Sequence, residues 1–78
     1  MAQTVKVYTT PTCAFCTLVK NFLTDMGVEY EEIDLVADPA RVSELVEVSG
    51  QLAVPVTVID GQVIIGYDRG SLEAALAA

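Results

Sequence analysis

Cys13 and Cys16, separated by Ala14 and Phe15, are the only two thiols in a chain of 78 residues. Thiols three positions apart at a helix start can bring their sulfurs within bonding distance. Such a pair exchanges two electrons by passing between dithiol and disulfide. Unpaired N–H groups in the first helical turn, with the helix dipole, would favour a thiolate at Cys13. Cys16 lies one turn further in and is expected to be more buried. Cys13 would then attack a disulfide, and Cys16 would resolve the mixed disulfide by attacking Cys13. Two other uses of the pair stay open. Buried cysteines often serve as small core fillers. A structural zinc site needs four ligands, so two Cys and no His would have to be completed by carboxylates or a second chain.

Composition narrows the field. The absence of His excludes Ser–His and Cys–His nucleophile pairs and imidazole metal ligands. A net charge of −7, from 11 acids against 4 bases, argues against nucleic acid and anionic membrane surfaces as partners. No apolar run approaches the roughly 18 residues of a membrane span. Met1-Ala2-Gln3-Thr4 lacks the charged and apolar regions of a signal peptide, and two Cys are too few for a disulfide-stapled secreted mini-protein. A reducing cytoplasm is the expected compartment. Hydrophobic residues make up 53% of the chain, and Gly and Pro are dispersed. A single domain over residues 1–78 is expected, and nothing requires more than a monomer.

The surrounding elements must position the thiols. Val5 to Thr9 is β-branched or aromatic at all but one position and reads as a strand. Thr10-Pro11-Thr12 breaks it. Phe15, Leu18, Val19, Phe22, Leu23 and Met26 then form an apolar stripe of helical period, closed by Gly27. Val28 to Leu35 predicts a second strand with a wet, acidic edge at Glu29, Glu31, Glu32 and Asp34. Asp38-Pro39 predicts a helix start with Asp38 as N-cap. Val42, Leu45 and Val46 give that helix an apolar face, and Gly50 ends it. Val56 to Ile59 reads as a buried strand, Asp60-Gly61 as a hairpin turn, and Gln62 to Ile65 as the return strand. Asp68 can cap a last helix carrying Leu72, Ala75 and Leu76, with Gly70 as a weak point near its start. The order β-α-β-α-β-β-α, with a right-handed parallel crossover followed by an antiparallel hairpin, predicts an α/β fold. It is a four-stranded mixed sheet with helices on both faces, the minimal thioredoxin fold.

Several segments carry a resemblance. Tyr8-Thr9-Thr10-Pro11-Thr12-Cys13-Ala14-Phe15-Cys16 resembles the opening strand and active site of glutaredoxins and glutaredoxin-like redoxins. Gly50-Gln51-Leu52-Ala53-Val54-Pro55 resembles the loop before their cis-proline, Val58-Ile59-Asp60-Gly61-Gln62 their hairpin, and Gly66-Tyr67-Asp68 the start of their last helix. The matches fall in order along nearly the whole chain. The resemblance implies Cys13 as nucleophile and Cys16 as resolving thiol. It implies a cis Pro55, with the Val54 backbone pairing with an extended substrate or glutathione. It also implies a substrate or glutathione surface that includes Thr12, Phe15, Gly66, Tyr67 and Asp68. Asp68 would meet the glutathione amino group while also capping its helix. Phe15 lies on the helical stripe as well, so core packing and site wall are both expected uses.

The chain departs from that pattern in places. Ala14 replaces the Pro of the common glutaredoxin motif, so a reduction potential does not transfer. Thr10 stands where many glutaredoxins carry a basic residue that holds a glutathione carboxylate. Ile65-Gly66 replaces a Gly-Gly pair, and the remaining Gly-Tyr is closer to redoxins served by thioredoxin reductase. Lys20, one turn past Cys16, is expected mainly as a solvated charge. The implied activity is reduction of protein or mixed disulfides with no bound cofactor, with glutathione or thioredoxin reductase as electron donor. The alternatives are an iron–sulfur cluster held by Cys13 in a dimer with external thiols, and a non-catalytic module with a vestigial pair.

Overall fold

The structure is a computed structural model describing residues 4–77. The leader-free start expected at Met1-Ala2-Gln3 lies outside the described residues, as does Ala78. The elements run β1 (Val5–Thr9), α1 (Ala14–Asp25), β2 (Glu31–Asp34), a 3-10 turn (Pro39–Arg41), α2 (Val42–Ser49), β3 (Val56–Ile59), β4 (Gln62–Ile65) and α3 (Arg69–Ala77). The strands form one sheet in the order β2-β1-β3-β4. β1 pairs with β2 in parallel, while β3 is antiparallel to both β1 and β4. This is the α/β architecture expected, the minimal thioredoxin fold.

Alternation along β1 divides the interior into two layers. Val5 and Val7 face α1 and α3, packing with Val19, Phe22, Leu23, Ile59, Ile64, Leu72 and Ala75. Tyr8 faces the other way, into a cluster with Ile33, Leu35, Leu45 and Val56 under α2. The Arg69 guanidinium lies 5.7 Å from the Phe22 ring centroid and ties α3 to α1. Over α2, Arg41 pairs with Glu31 at 3.1 Å and with Glu44 at 2.8 Å. Glu44 also accepts from the Tyr8 hydroxyl.

Turn chemistry behaves as the sequence implies at two places. Asp60 and Gly61 both take positive φ, 49° and 86°, the geometry of a tight hairpin whose twist matches its strands. Gly50 ends α2 at φ 77°, with its N–H bonded to the Val46 carbonyl at 2.8 Å. Asp60 also clasps the start of β1. Its side chain accepts the Thr4 N–H at 2.8 Å, and its own N–H donates to the Thr4 carbonyl at 2.9 Å.

Three expectations need correction. The second strand is Glu31–Asp34, shorter than Val28–Leu35. Its start is lost because the Val28 N–H is drawn back to the Leu23 carbonyl at 2.9 Å, closing α1. Asp38 does stand at the N-cap position with Pro39 first in the turn, but its side chain makes no capping bond. That segment opens as a tight 3-10 turn, and the nearby side-chain acceptor is Asp34, which takes the Val36 and Ala37 N–H groups at 2.9 and 3.2 Å. The apolar stripe of α1 is narrower than its sequence period suggests. Val19, Phe22 and Leu23 are buried, whereas Leu18 and Met26 are exposed, as is Val46 on α2. A small sheet covers only part of each helix, so stripe residues at the flanks stay wet. Among the described residues, no helix is long and apolar enough to cross a membrane.

Candidate active site

β1 ends at Thr9, and α1 begins at Ala14. Between them the Cys13 N–H donates to the Thr10 carbonyl at 3.3 Å, a turn that delivers Cys13 to the N-cap of α1. The Cys13 backbone is extended there, with φ −90° and ψ 112°, and its sulfur accepts the Cys16 N–H at 3.2 Å. An N-cap is normally an oxygen; here a thiol sulfur satisfies one of the first-turn donors.

The two thiols sit in different surroundings. Both are reduced, Cys13 half-buried and Cys16 with no exposed surface. Burial, reinforced by a hydrogen bond from its thiol to the Cys13 sulfur, pushes Cys16 up to about 12. The Thr10 backbone N–H and the Lys20 ammonium oppose that rise. Two donors of Cys16, its backbone N–H and its S–H, therefore converge on Cys13.

Strand register brings the other expected segments to the same end of the sheet. Tyr8, next to last in β1, pairs with Val56, the first residue of β3. Val56 in turn pairs with Ile65, the last residue of β4. The Cys13 loop, the Val54-Pro55 loop and the Gly66-Tyr67-Asp68 segment thus leave the sheet from one edge. The Val54–Pro55 peptide is cis, as the resemblance implies. Val54 is half-buried and Pro55 buried. The Gly66 N–H donates to the Pro55 carbonyl at 2.8 Å, joining the second and third segments directly.

The remaining candidates divide between surface and core. Thr12 is exposed, and Phe15 is 60% exposed, which removes core packing as its use. Tyr67 packs against the α1–α3 side of the core. Asp68 is exposed and caps α3. Its carboxylate accepts the Ser71 N–H at 3.2 Å and the Ser71 hydroxyl at 2.8 Å, and these bonds hold it below the ordinary Asp range.

Lys20 is not the solvated charge expected. Its ammonium is held at 2.9 Å by Glu32, and the same Glu32 oxygen accepts from the buried Thr9 hydroxyl at 3.0 Å. The signal for this contact was weak, because it joins a helix to a strand across the parallel crossover.

Comparison with known proteins agrees with this geometry. The glutaredoxin family model matches residues 5–64. Glutaredoxin 3 of Escherichia coli K12 is 34% identical over 92% of this chain and 95% of its own length. The Archaeoglobus fulgidus glutaredoxin superposes with a TM-score of 0.90 at 25% identity, covering 97% of this chain and 88% of that one. A buckwheat glutaredoxin in complex with glutathione superposes with a TM-score of 0.78 at 26% identity, covering 96% and 74%. With a thioredoxin fold, a Cys-x-x-Cys pair at the head of α1 and these matches along nearly all of its length, the chain belongs to the glutaredoxin family.

Proposed function

We propose that this protein is a dithiol oxidoreductase that reduces protein or mixed disulfides, with Cys13 as nucleophile and Cys16 as resolving thiol. The observation that carries this reading is the asymmetry of the pair. Cys13 is partly accessible and caps α1, whereas Cys16 is sealed and directs both its donors at Cys13. Attack by the Cys13 thiolate on a disulfide forms a Cys13 mixed disulfide and expels one thiol. Cys16 then gives up its proton and attacks the Cys13 sulfur. The Cys13–Cys16 disulfide forms, and the second substrate sulfur leaves with a proton. The substrate gains two electrons and the dithiol loses them.

The order of these steps follows from the surroundings of Cys16. Its ionisation is opposed first by burial and then by its hydrogen bond to Cys13 and the Cys13 charge. Forming the mixed disulfide removes the negative charge and weakens the acceptor. Cys16 therefore ionises more readily once Cys13 has reacted, although burial still opposes it.

In this reading the Val54 backbone pairs with an extended substrate, and Thr12, Phe15, Gly66 and Tyr67 border the substrate. Asp68 offers a carboxylate to an ammonium group, the charge a glutathione amino terminus carries. The complex of the buckwheat relative with glutathione supports glutathione as donor. Thr10 and Ile65-Gly66 support thioredoxin reductase instead. No bound cofactor is needed, and a monomer in a reducing cytoplasm suffices. The alternative reading is an iron–sulfur cluster held by Cys13 in a dimer with external thiols.

The test is NADPH consumption by the oxidised protein in two recycling systems run in parallel. One contains glutathione and glutathione reductase, the other thioredoxin reductase. Turnover in either supports a dithiol oxidoreductase and names its donor. Turnover in neither, with a visible-absorbing dimer on purification, would sink the proposal in favour of a cluster carrier.

A further inference from the structure

Resting on the dithiol reading, we propose that Lys20, anchored by Glu32, is a positioning residue for the resolving step: its ammonium stabilises the Cys16 thiolate that attacks the mixed disulfide. The placement of Lys20 carries this. Cys16 and Lys20 are four residues apart on α1 and so lie on one face, one turn from each other. The Lys20 ammonium is fixed on Glu32 at 2.9 Å, and Glu32 is fixed by the Thr9 hydroxyl at 3.0 Å. Thr9 is fully buried and adjoins Thr10, whose backbone favours the Cys16 thiolate. The contacts thus run from Lys20, one turn past Cys16 on α1, across to Glu32 on β2 and back to Thr9 at the end of β1.

The charge balance explains why such a device is useful. Cys16 has no exposed surface, so water does not solvate its thiolate. The groups that bear on it are Cys13 from the N-cap, the Thr10 N–H from the end of β1, and Lys20 from its own helix. Glu32 and Tyr30 bear on Lys20 and strengthen its hold on its proton. Once Cys13 is bound in a mixed disulfide, its opposing charge is gone. Burial is then countered by the Thr10 backbone dipole and, more weakly, by the Lys20 ammonium, the side-chain charge on the face of α1 that carries Cys16. Lys20 keeps its proton throughout. The Cys16 proton passes to solvent and returns on the departing thiolate, so the exchange balances without another reagent.

Glu32 has a second consequence. A free lysine could swing outward into water. The salt bridge to Glu32 on β2 leaves the Lys20 side chain only 28% exposed.

Stopped-flow reaction of the reduced full-length protein with dithiobis(nitrobenzoate) resolves the two steps. The first thionitrobenzoate released reports attack by Cys13, and the second reports attack by Cys16 on the Cys13 mixed disulfide. For Lys20→Met, the second release should slow about tenfold near neutral pH, and its pH midpoint should rise by about one unit. The first release should stay within about twofold of the wild-type rate. Lys20→Arg, which restores the charge, should recover the second release to within about threefold. An unchanged second release in Lys20→Met overturns the proposal. So does a slowing that Lys20→Arg does not rescue or that falls equally on both releases. Failure of the wild-type protein to release a second equivalent overturns the dithiol reading along with it, which separates the two failures.

Discussion

The first turns of α1 and α3 are built alike and used differently. In each, the N-cap side chain accepts the N–H of the residue three positions on, at 3.2 Å in both: Cys13 from Cys16, and Asp68 from Ser71. The Asp68 carboxylate also takes the Ser71 hydroxyl and stays charged down into the acid range. The Cys13 sulfur is a weaker acceptor, and reaction requires it to share its electrons with another sulfur. One helix start is thus a fixed clamp, and the other is a cap that changes its bonding each time the protein turns over. A reactive group can occupy a structural position when the bond it gives up there is modest.

The largest expected difference between the two caps is chemical. Cys13→Ser keeps a capping oxygen and should leave the fold intact, yet it should reduce disulfide exchange to background in either recycling assay. Asp68→Asn should retain both cap and exchange chemistry with a small aromatic disulfide. A Cys13→Ser variant that still turns over would erase the distinction.

A smaller effect is expected one turn in. Cys16→Ser should preserve the first attack and trap it, so that mass spectrometry of the protein after exposure to oxidised glutathione shows one added glutathionyl group. Wild type under the same conditions should return to the intramolecular disulfide. A Cys16→Ser protein that fails to accumulate the adduct would place the nucleophile elsewhere.

The pH limits of stability should also separate the two sites. Cys16 rises from an ordinary 9.0 to about 12, and Tyr8 from 10.0 to about 12. The unfolded chain then ionises first, so stability falls as pH climbs from about 9 to 12. Each group contributes a slope of up to about 1.4 kcal/mol per pH unit. Denaturant titrations of the reduced protein at stepped alkaline pH should show this decline, and Cys16→Ala should flatten it. Asp68 acts with the opposite sign. Its depressed pKa stabilises the fold at neutral pH, and the contribution fades as acid takes the carboxylate through a value below 3.8.

The smallest effect is the clamp itself. Asp68→Ala should lower the thermal midpoint by a few degrees at neutral pH, with Asp68→Asn recovering most of the loss. An unchanged midpoint in Asp68→Ala would mean that Ser71 or solvent replaces the cap at no cost.

The sequence was most legible where the determinant is local. The spacing of Cys13 and Cys16, the Asp60-Gly61 turn and the Asp68 cap each depend on a few consecutive residues, and all three hold in the structure. Asp38 holds the N-cap position ahead of Pro39 as its type suggests, but its side chain makes no capping bond, and the 3-10 turn that follows is not written in the two residues Asp38-Pro39. Leu18 and Met26 share the period of the buried stripe but lie where the sheet no longer covers α1. The engagement of Lys20 was hidden for another reason. Glu32 reaches it only through the register of the parallel crossover, in which Val7 of β1 lies beside Glu32. Site geometry that depends on pairing distant segments is therefore the part that sequence conceals, and here it includes the surroundings of the resolving thiol.

The clasp between Thr4 and Asp60 has a practical bearing on attachment. Val5 pairs with Ile59 beside the clasp, while Thr9 ends the strand beside the loop that carries Cys13. The length of β1, roughly 13–17 Å at strand spacing, separates the two poles. An affinity handle, electrode linker or fused enzyme joined ahead of Thr4 therefore enters at the pole away from the thiols. Tethering through that pole leaves the reactive edge facing outward to incoming disulfides.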